Sequence, residues 1–137
     1  MNWWELLMPQ AGLIVAASIA IWGYGRQKNA ELEKSLVEVR RSTYRSYLAH
    51  LPKLSAASTE SRLTYNSLVA ELTVIATDEV MFAIGEFTQY MNGVEPTKRQ
   101  VDVYKTLIAK IVLRMRKDCF SQSQLDLKTT TALLPIQ

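Results

Sequence analysis

His50 and its neighbours offer little with which to do chemistry. It is the only histidine in this 137-residue chain, and it stands beside Leu51 and Pro52 at the end of a predicted helix. No second histidine or cysteine has the spacing that would complete a metal site with it. We therefore interpret His50 as a capping or surface residue rather than as a catalytic or metal-binding one.

Cys119 is the only cysteine, so the chain cannot form an internal disulfide, and a reducing compartment suits it. Arg116 and Lys117 precede it closely, and their charges could lower the pKa of its thiol. Because the sequence offers no paired histidine or second thiol, we interpret Cys119 as a buried structural residue.

The remaining patterns with chemical potential are short. The Gly23-Tyr24-Gly25 triplet does not lie between a strand and a helix, as a phosphate-binding loop requires. The Asp78-Glu79 pair is explained by a position at a helix start. The sequence thus predicts no catalytic residue, no cofactor and no metal, and the chain is predicted not to be an enzyme.

Residues 6–24 form an uncharged, largely apolar stretch. As a helix with a rise of about 1.5 Å per residue it would extend roughly 28 Å, close to the hydrocarbon thickness of a bilayer. Trp3 and Trp4 precede it, and Trp22 and Tyr24 close it, as in the aromatic belts of membrane proteins. The pattern predicts an N-terminal transmembrane helix.

Two other interpretations of this stretch are less favoured. Ser18-Ile19-Ala20 has the small residues of a signal-peptide cleavage site, but residues 1–5 contain no Lys or Arg and one acid. A buried helix of a soluble domain would be shorter and more clearly patterned. The transmembrane interpretation is therefore retained.

The charges that flank the stretch predict its orientation. Arg26, Lys28 and Lys34 follow it, whereas nothing basic precedes it. The positive-inside rule then places the N-terminus outside and the rest of the chain in the cytoplasm of a bacterial cell. The same three residues are predicted to contact anionic lipid headgroups.

Gly12, Ala16 and Ala20 recur every four residues within the predicted span. Small residues at this spacing let two transmembrane helices approach closely, so this face is a candidate for lateral association into a homo-oligomer.

Beyond the span, apolar periodicity predicts an all-α fold in which the first helix continues into a small cytoplasmic bundle of three or four helices. The near-heptad spacing of Leu32, Leu36, Val39 and Thr43 is too short to establish a coiled coil and indicates a stalk. The predicted domains are an anchor over 1–25, a helical domain over 26–120 and a tail over 121–137, which either folds back as a capping turn or stays loose.

The helix boundaries rest on local signals. Pro52 ends the first helix, and the polar residues 55–61 supply the start of a second that runs over 63–75. Thr77 is predicted to cap the third helix with its side chain, and Asn92-Gly93 to end it. Pro96 is predicted to open the last strong helix, which runs to about residue 118.

Two short segments of opposite charge form a candidate docking or structural patch. Its members are Asp78, Glu79, Arg114, Arg116, Lys117 and Asp118.

Residues 75–80 (Ile-Ala-Thr-Asp-Glu-Val) and 113–118 (Leu-Arg-Met-Arg-Lys-Asp) resemble the LxASDEV and MRxDL segments of a group of small bacterial single-span membrane proteins of unknown function. The resemblance covers about residues 44–120, with Thr77 in place of the serine and Cys119 in place of the leucine. It implies a helical cytoplasmic domain and carries over no functional residue.

These features favour a membrane-anchored interaction or scaffold module with an unidentified protein partner. The alternative is a small membrane effector or pore component that oligomerises through its span. Nucleic acid is disfavoured as a partner, because the basic helix over 98–117 lacks interleaved exposed aromatics and a recognition motif.

Overall fold

A computed structural model describes the backbone of residues 3–56, 58–120 and 122–134, and the side chains of residues 15–54, 58–120 and 122–134. These residues form five α-helices: α1 (Trp3–His50), α2 (Thr59–Ile75), α3 (Asp78–Gly93), α4 (Val101–Cys119) and α5 (Leu127–Leu133). Two short 3-10 helices, Leu51–Ala56 and Pro96–Lys98, follow α1 and α3. The all-α prediction is confirmed.

The chain divides into two compact units, residues 1–38 and residues 39–137. In the first unit, the described side chains of residues 15–36 are all exposed along α1. Leu32 and Leu36 are among them, at 60% and 40% exposure. The apolar stripe predicted for the first helix is therefore exposed in this unit.

The second unit is a helical bundle with a single core. α3 packs along α4, and α5 packs on α4 as well. The buried apolar side chains come from four helices and the first 3-10 turn: Tyr44, Tyr47, Leu51, Leu72, Val80, Ala83, Ile84, Phe87, Ile108, Ile111 and Met115. On α3 and α4 they recur at three- and four-residue spacing, as the periodicity of the sequence predicts.

The second helix begins earlier than predicted. Ser58 caps α2, and its side chain accepts a hydrogen bond from the Ser61 amide. α2 therefore starts at Thr59, so the polar residues predicted to precede it form its first turn. The chemistry of the start is as expected, because a serine hydroxyl satisfies one of the unpaired amides of the first turn.

The predicted side-chain cap at Thr77 is wrong, whereas α3 ends at Gly93 as predicted, but without a glycine cap. Thr77 precedes α3 in an extended conformation, and among the described residues its side chain makes no capping hydrogen bond. Gly93 is the last residue of α3, and the cap position is occupied by Val94 in an extended conformation, with φ −117° and ψ 126°. The Arg99 guanidinium donates to the carbonyls of Met91 and Val94 at 2.7 and 3.2 Å, so an arginine rather than a glycine satisfies this helix end.

Pro96 opens a separate 3-10 turn and not the last strong helix, which corrects the prediction. α4 begins at Val101, and the Tyr104 amide donates to the carbonyl of Gln100 at its start.

The tail contains α5, whose start is capped by the Asp126 carboxylate, which accepts a hydrogen bond from the Thr129 amide at 2.8 Å. Of the two alternatives for the tail, folding back is the one observed, and it buries Thr130.

Among the helices that the structure describes, none is long and apolar enough to cross a membrane. Of the predicted span over residues 6–24, the side chains of residues 6–14 lie outside the described part, and Gly12 is one of them. The side chains of Ala16 and Ala20 are exposed on α1.

Candidate functional site

A buried ionic cluster joins the start of the bundle unit to the end of α4. Arg40 of α1 contacts the Asp118 carboxylate at 3.2 Å, and the Tyr44 hydroxyl donates to the other oxygen of the same carboxylate. The Asp118 side chain is only 6% exposed and that of Arg40 20%. A carboxylate this deeply buried requires such partners, since an unpaired buried charge is costly.

Arg40 also connects the two segments on which the family resemblance rests. Its Nε donates to the carbonyl of Ile75, at the end of α2, while its Nη1 donates to Asp118. The 75–80 segment and the 113–118 segment thus meet at one guanidinium group. Arg40 is not among the site residues that the sequence predicts. The available signal was its place between Val37 and Tyr44, where a cation interrupts the apolar stripe of the helix.

Two ion pairs link α3 to α4 beside this cluster. Glu79 accepts from Arg114 at 2.7 Å, and Glu86 accepts from Lys110 at 3.1 Å. The four side chains are between 43% and 66% exposed, so water screens both pairs. They contribute little to stability and leave the charged groups accessible.

Five members of the predicted patch line one open depression of about 700 Å³ together with Thr77. We call it the motif depression; its lining residues are Thr77, Asp78, Glu79, Arg114, Lys117 and Asp118. Both resembling segments contribute, with acids from the start of α3 and cations from the last turns of α4. Such a mixed charged surface can bind a partner whose charges complement it.

Arg116, the sixth member of the predicted patch, does not line this depression. Its Nε donates to the Ser123 hydroxyl at 2.9 Å, and its guanidinium lies 5.3 Å from the ring centre of Phe120. Arg41 contacts the same ring at 4.7 Å and donates to the carbonyl of Cys119 at 3.0 Å. Arg116 therefore helps to hold the end of α4, where cation–π contacts are favourable.

The Cys119 thiol is half-buried, and its pKa is raised by burial first and by the charge of Asp118 second. The suggestion that its basic neighbours lower the pKa is wrong, because desolvation outweighs the cations around it.

His50 is buried, and its Nε2 lies 2.8 Å from the carbonyl of Ser61. A carbonyl only accepts, so Nε2 carries the proton and His50 ties the end of α1 to the first turn of α2.

A second depression, of about 400 Å³, lies over α3, α4 and the start of α5. Its apolar lining consists of Phe82, Ala83, Leu113 and Leu127, and we call it the Phe82 depression. Phe82 is 74% exposed, although Phe87 on the same helix is buried. The sequence does not predict this surface, because Phe82 stands outside the apolar face predicted for α3.

The residues predicted to contact lipid are all exposed on α1. The guanidinium of Arg26 lies 4.7 Å from the ring centre of Trp22, and Lys28 and Lys34 follow along the helix.

Within the described ranges, no group of three or more His, Cys, Asp or Glu side chains could hold a metal ion.

Tyr44 and Tyr47 are both almost fully buried in the core, and burial is the main cause that raises the pKa of each. The hydrogen bond to Asp118 raises the pKa of Tyr44 further, and the neighbouring Tyr65 raises that of Tyr47. The unfolded chain restores the ordinary tyrosine pKa of about 10. Above that pH the unfolded state loses protons that the folded state keeps.

We therefore expect the free energy of unfolding to be unaffected by these tyrosines below about pH 10 and to fall above it. Each contributes a slope of about 1.4 kcal/mol per pH unit once its unfolded form is ionised. Urea unfolding of the full chain between pH 8 and 11, followed by circular dichroism, measures the slope. Tyr47→Phe should reduce this slope by the contribution of one tyrosine. A slope equal to that of the wild type would refute the raised pKa of Tyr47 as a cause of the pH dependence.

The fold and the site together define a small all-α bundle, preceded by a long exposed helical segment. Comparison with protein-family models, with curated proteins and with solved structures gives no match. The resemblance to small single-span membrane proteins therefore stays a prediction.

Proposed function

We propose that this chain is a single-pass membrane-anchored helical protein whose bundle docks a protein partner at the cytoplasmic face of the bacterial inner membrane. The anchor part of the proposal is supported by the uncharged stretch over residues 6–24. Its aromatic ends and the basic residues that follow it are those of a spanning helix with its N-terminus outside.

The lipid contact is supported by the exposure of Arg26, Lys28 and Lys34 on α1. Each basic residue near an anionic leaflet contributes about 1 kcal/mol of attraction. The contact of Arg26 with Trp22 places a cation beside an aromatic ring, a pair suited to the headgroup region.

The observation that carries the docking part is the convergence of the two resembling segments on the motif depression. Most of its lining is charged, and the deepest of these groups, Asp118, is already held by Arg40 and Tyr44. These partners hold the Asp118 carboxylate in place, while Asp78 and Lys117 are exposed. A charged surface with accessible groups favours selective recognition of a complementary protein surface.

Replacing Lys117 by glutamate should reduce capture of the partner at least about tenfold, because a reversed charge places repulsion where attraction was. The full chain is cross-linked in native membranes, purified, and the cross-linked protein is quantified by mass spectrometry. Lys128→Glu is the matched control, since Lys128 is an exposed lysine on α5. Equal capture by the wild type and both variants would contradict docking at the motif depression.

The alternative is a small membrane effector or pore component that associates through its span. The spacing of Gly12, Ala16 and Ala20 favours it. In that case overexpression permeabilises the membrane, and Ala16→Leu abolishes the effect while leaving the motif depression intact. Partner capture that depends on Lys117, without permeabilisation, favours the docking function.

A further inference from the structure

The Phe82 depression is an apolar feature on the surface of the bundle unit, bordered by charged residues. An aromatic side chain this exposed on a helix, beside an apolar floor formed by Ala83, Leu113 and Leu127, is typical of a contact surface. The surface is distinct from the motif depression, although Glu79 and Arg114 border both.

The charges around the Phe82 depression form two parallel rows of opposite sign. Glu79 and Glu86 lie on α3, and Arg114 and Lys110 lie on α4, paired across the depression in that order. Because the pairs join ascending numbers on α3 to descending numbers on α4, the two helices run antiparallel here. All four groups are partly exposed, so each can accept a second partner of opposite charge.

This arrangement is self-complementary. A twofold axis that lies parallel to the rows brings the acidic row of one copy over the basic row of another. Glu86 then faces Lys110 of the second copy, and each Phe82 ring faces the apolar floor opposite. The other in-plane twofold axis, perpendicular to the rows, would set acid against acid and is disfavoured.

We propose that the Phe82 depression is the contact surface of a symmetric homodimer, in which a second copy of this chain covers Phe82. Twofold dimers are the commonest assemblies, and they use one patch twice, as the charge rows here require. The proposal does not depend on the membrane anchor or on docking at the motif depression.

The test uses two differently tagged full-length copies, co-expressed, solubilised in mild detergent and co-purified through one tag. Phe82→Asp is expected to reduce recovery of the second tag at least about tenfold, because a carboxylate would be buried against an apolar floor. Val74→Asp is the matched control, since Val74 is an exposed apolar residue on α2, 85% exposed.

A charge exchange tests the symmetry itself. The double variant Glu86→Lys/Lys110→Glu keeps the ion pair within its own chain and, in a twofold dimer, the pairing with an identical copy. Mixed with the wild type it sets Glu against Glu and Lys against Lys. We therefore expect exchanged copies to co-purify with each other but to recover wild-type copies at least about tenfold less well.

Equal recovery in all combinations would overturn the proposal and would place any association elsewhere, for example in the small-residue face of the predicted span. Loss of recovery between two exchanged copies, with recovery between wild-type copies intact, would also overturn it, because identical copies would then not pair their charge rows as the twofold axis requires. Neither outcome changes the expected effect of Lys117→Glu on capture of the protein partner. The dimer and the docking at the motif depression can therefore be refuted independently of each other.

Discussion

Replacing Arg40 by methionine is expected to lower the free energy of unfolding by about 3 kcal/mol. The change leaves the Asp118 carboxylate, 6% exposed, without its 3.2 Å cationic partner. It also leaves the carbonyl of Ile75 without the Nε donor of Arg40. Urea unfolding of the full chain, followed by circular dichroism, measures the loss.

Arg45→Met is the control for this prediction, because Arg45 is exposed on the same helix and its replacement removes the same charge. It should change stability by less than about 0.5 kcal/mol, the usual range for surface substitutions. Adding Asp118→Leu and Tyr44→Phe to Arg40→Met removes the three polar side chains of the cluster together. We expect that triple variant to recover most of the lost stability, since an apolar replacement of a buried ionic cluster is often neutral or better.

An equal loss of unfolding free energy for Arg40→Met and Arg45→Met would show that the Arg40–Asp118 contact does not stabilise the fold more than a surface charge does. A triple variant that is less stable than the single one would show that the cluster contributes net stability. Both results are informative about how the resembling segments are held together, because Arg40 contacts both of them.

Replacing both Val15 and Ile19 by arginine is expected to release the chain from the membrane. Both residues lie in the middle of the predicted span, four positions apart and on one side of α1. Each arginine near the centre of a bilayer costs about 2.5–3.5 kcal/mol on insertion scales, so the pair costs several kcal/mol. Cell fractionation after a carbonate wash, with the chain detected by immunoblot, measures the change.

The double variant Leu32→Arg/Leu36→Arg is the matched control. Its residues are also exposed, apolar and four positions apart on α1, but they lie beyond the predicted span. It should remain in the washed membrane fraction with the wild type. A wild-type chain found in the aqueous fraction would refute the anchor directly, and the two double variants would then not differ.

Local signals predicted most of the helices. The three- and four-residue spacing of Ile108, Ile111 and Met115 identified the buried face of α4, and Pro52 marked the end of α1 closely. Such features depend on neighbours within about one helical turn, so they are present in the order of the residues itself. The chemistry that closes α3 after Gly93 was not predicted, because the deciding contact is more distant: Arg99 reaches back to the carbonyls of Met91 and Val94.

The candidate site was only partly predictable for the same reason. Opposite charges on the segments over 75–80 and 113–118 suggested that the two could pair, and the structure places Glu79 beside Arg114. The residue that joins the segments, Arg40, lies 35 positions from Ile75 and 78 from Asp118. The exposed Phe82 and its depression could not be predicted either, since exposure is a property of the packed helices.

From its order of residues alone this chain is an all-α protein, with an uncharged N-terminal stretch and amphipathic helices whose apolar faces form one core. Periodicity, caps and charge distribution express these properties locally. Tertiary structure alone decided that Asp118 is buried against Arg40 and Tyr44, that Arg116 turns away to Phe120, and that two charge rows border an apolar depression. Those contacts join residues far apart in the chain, and they exist only once the helices have packed.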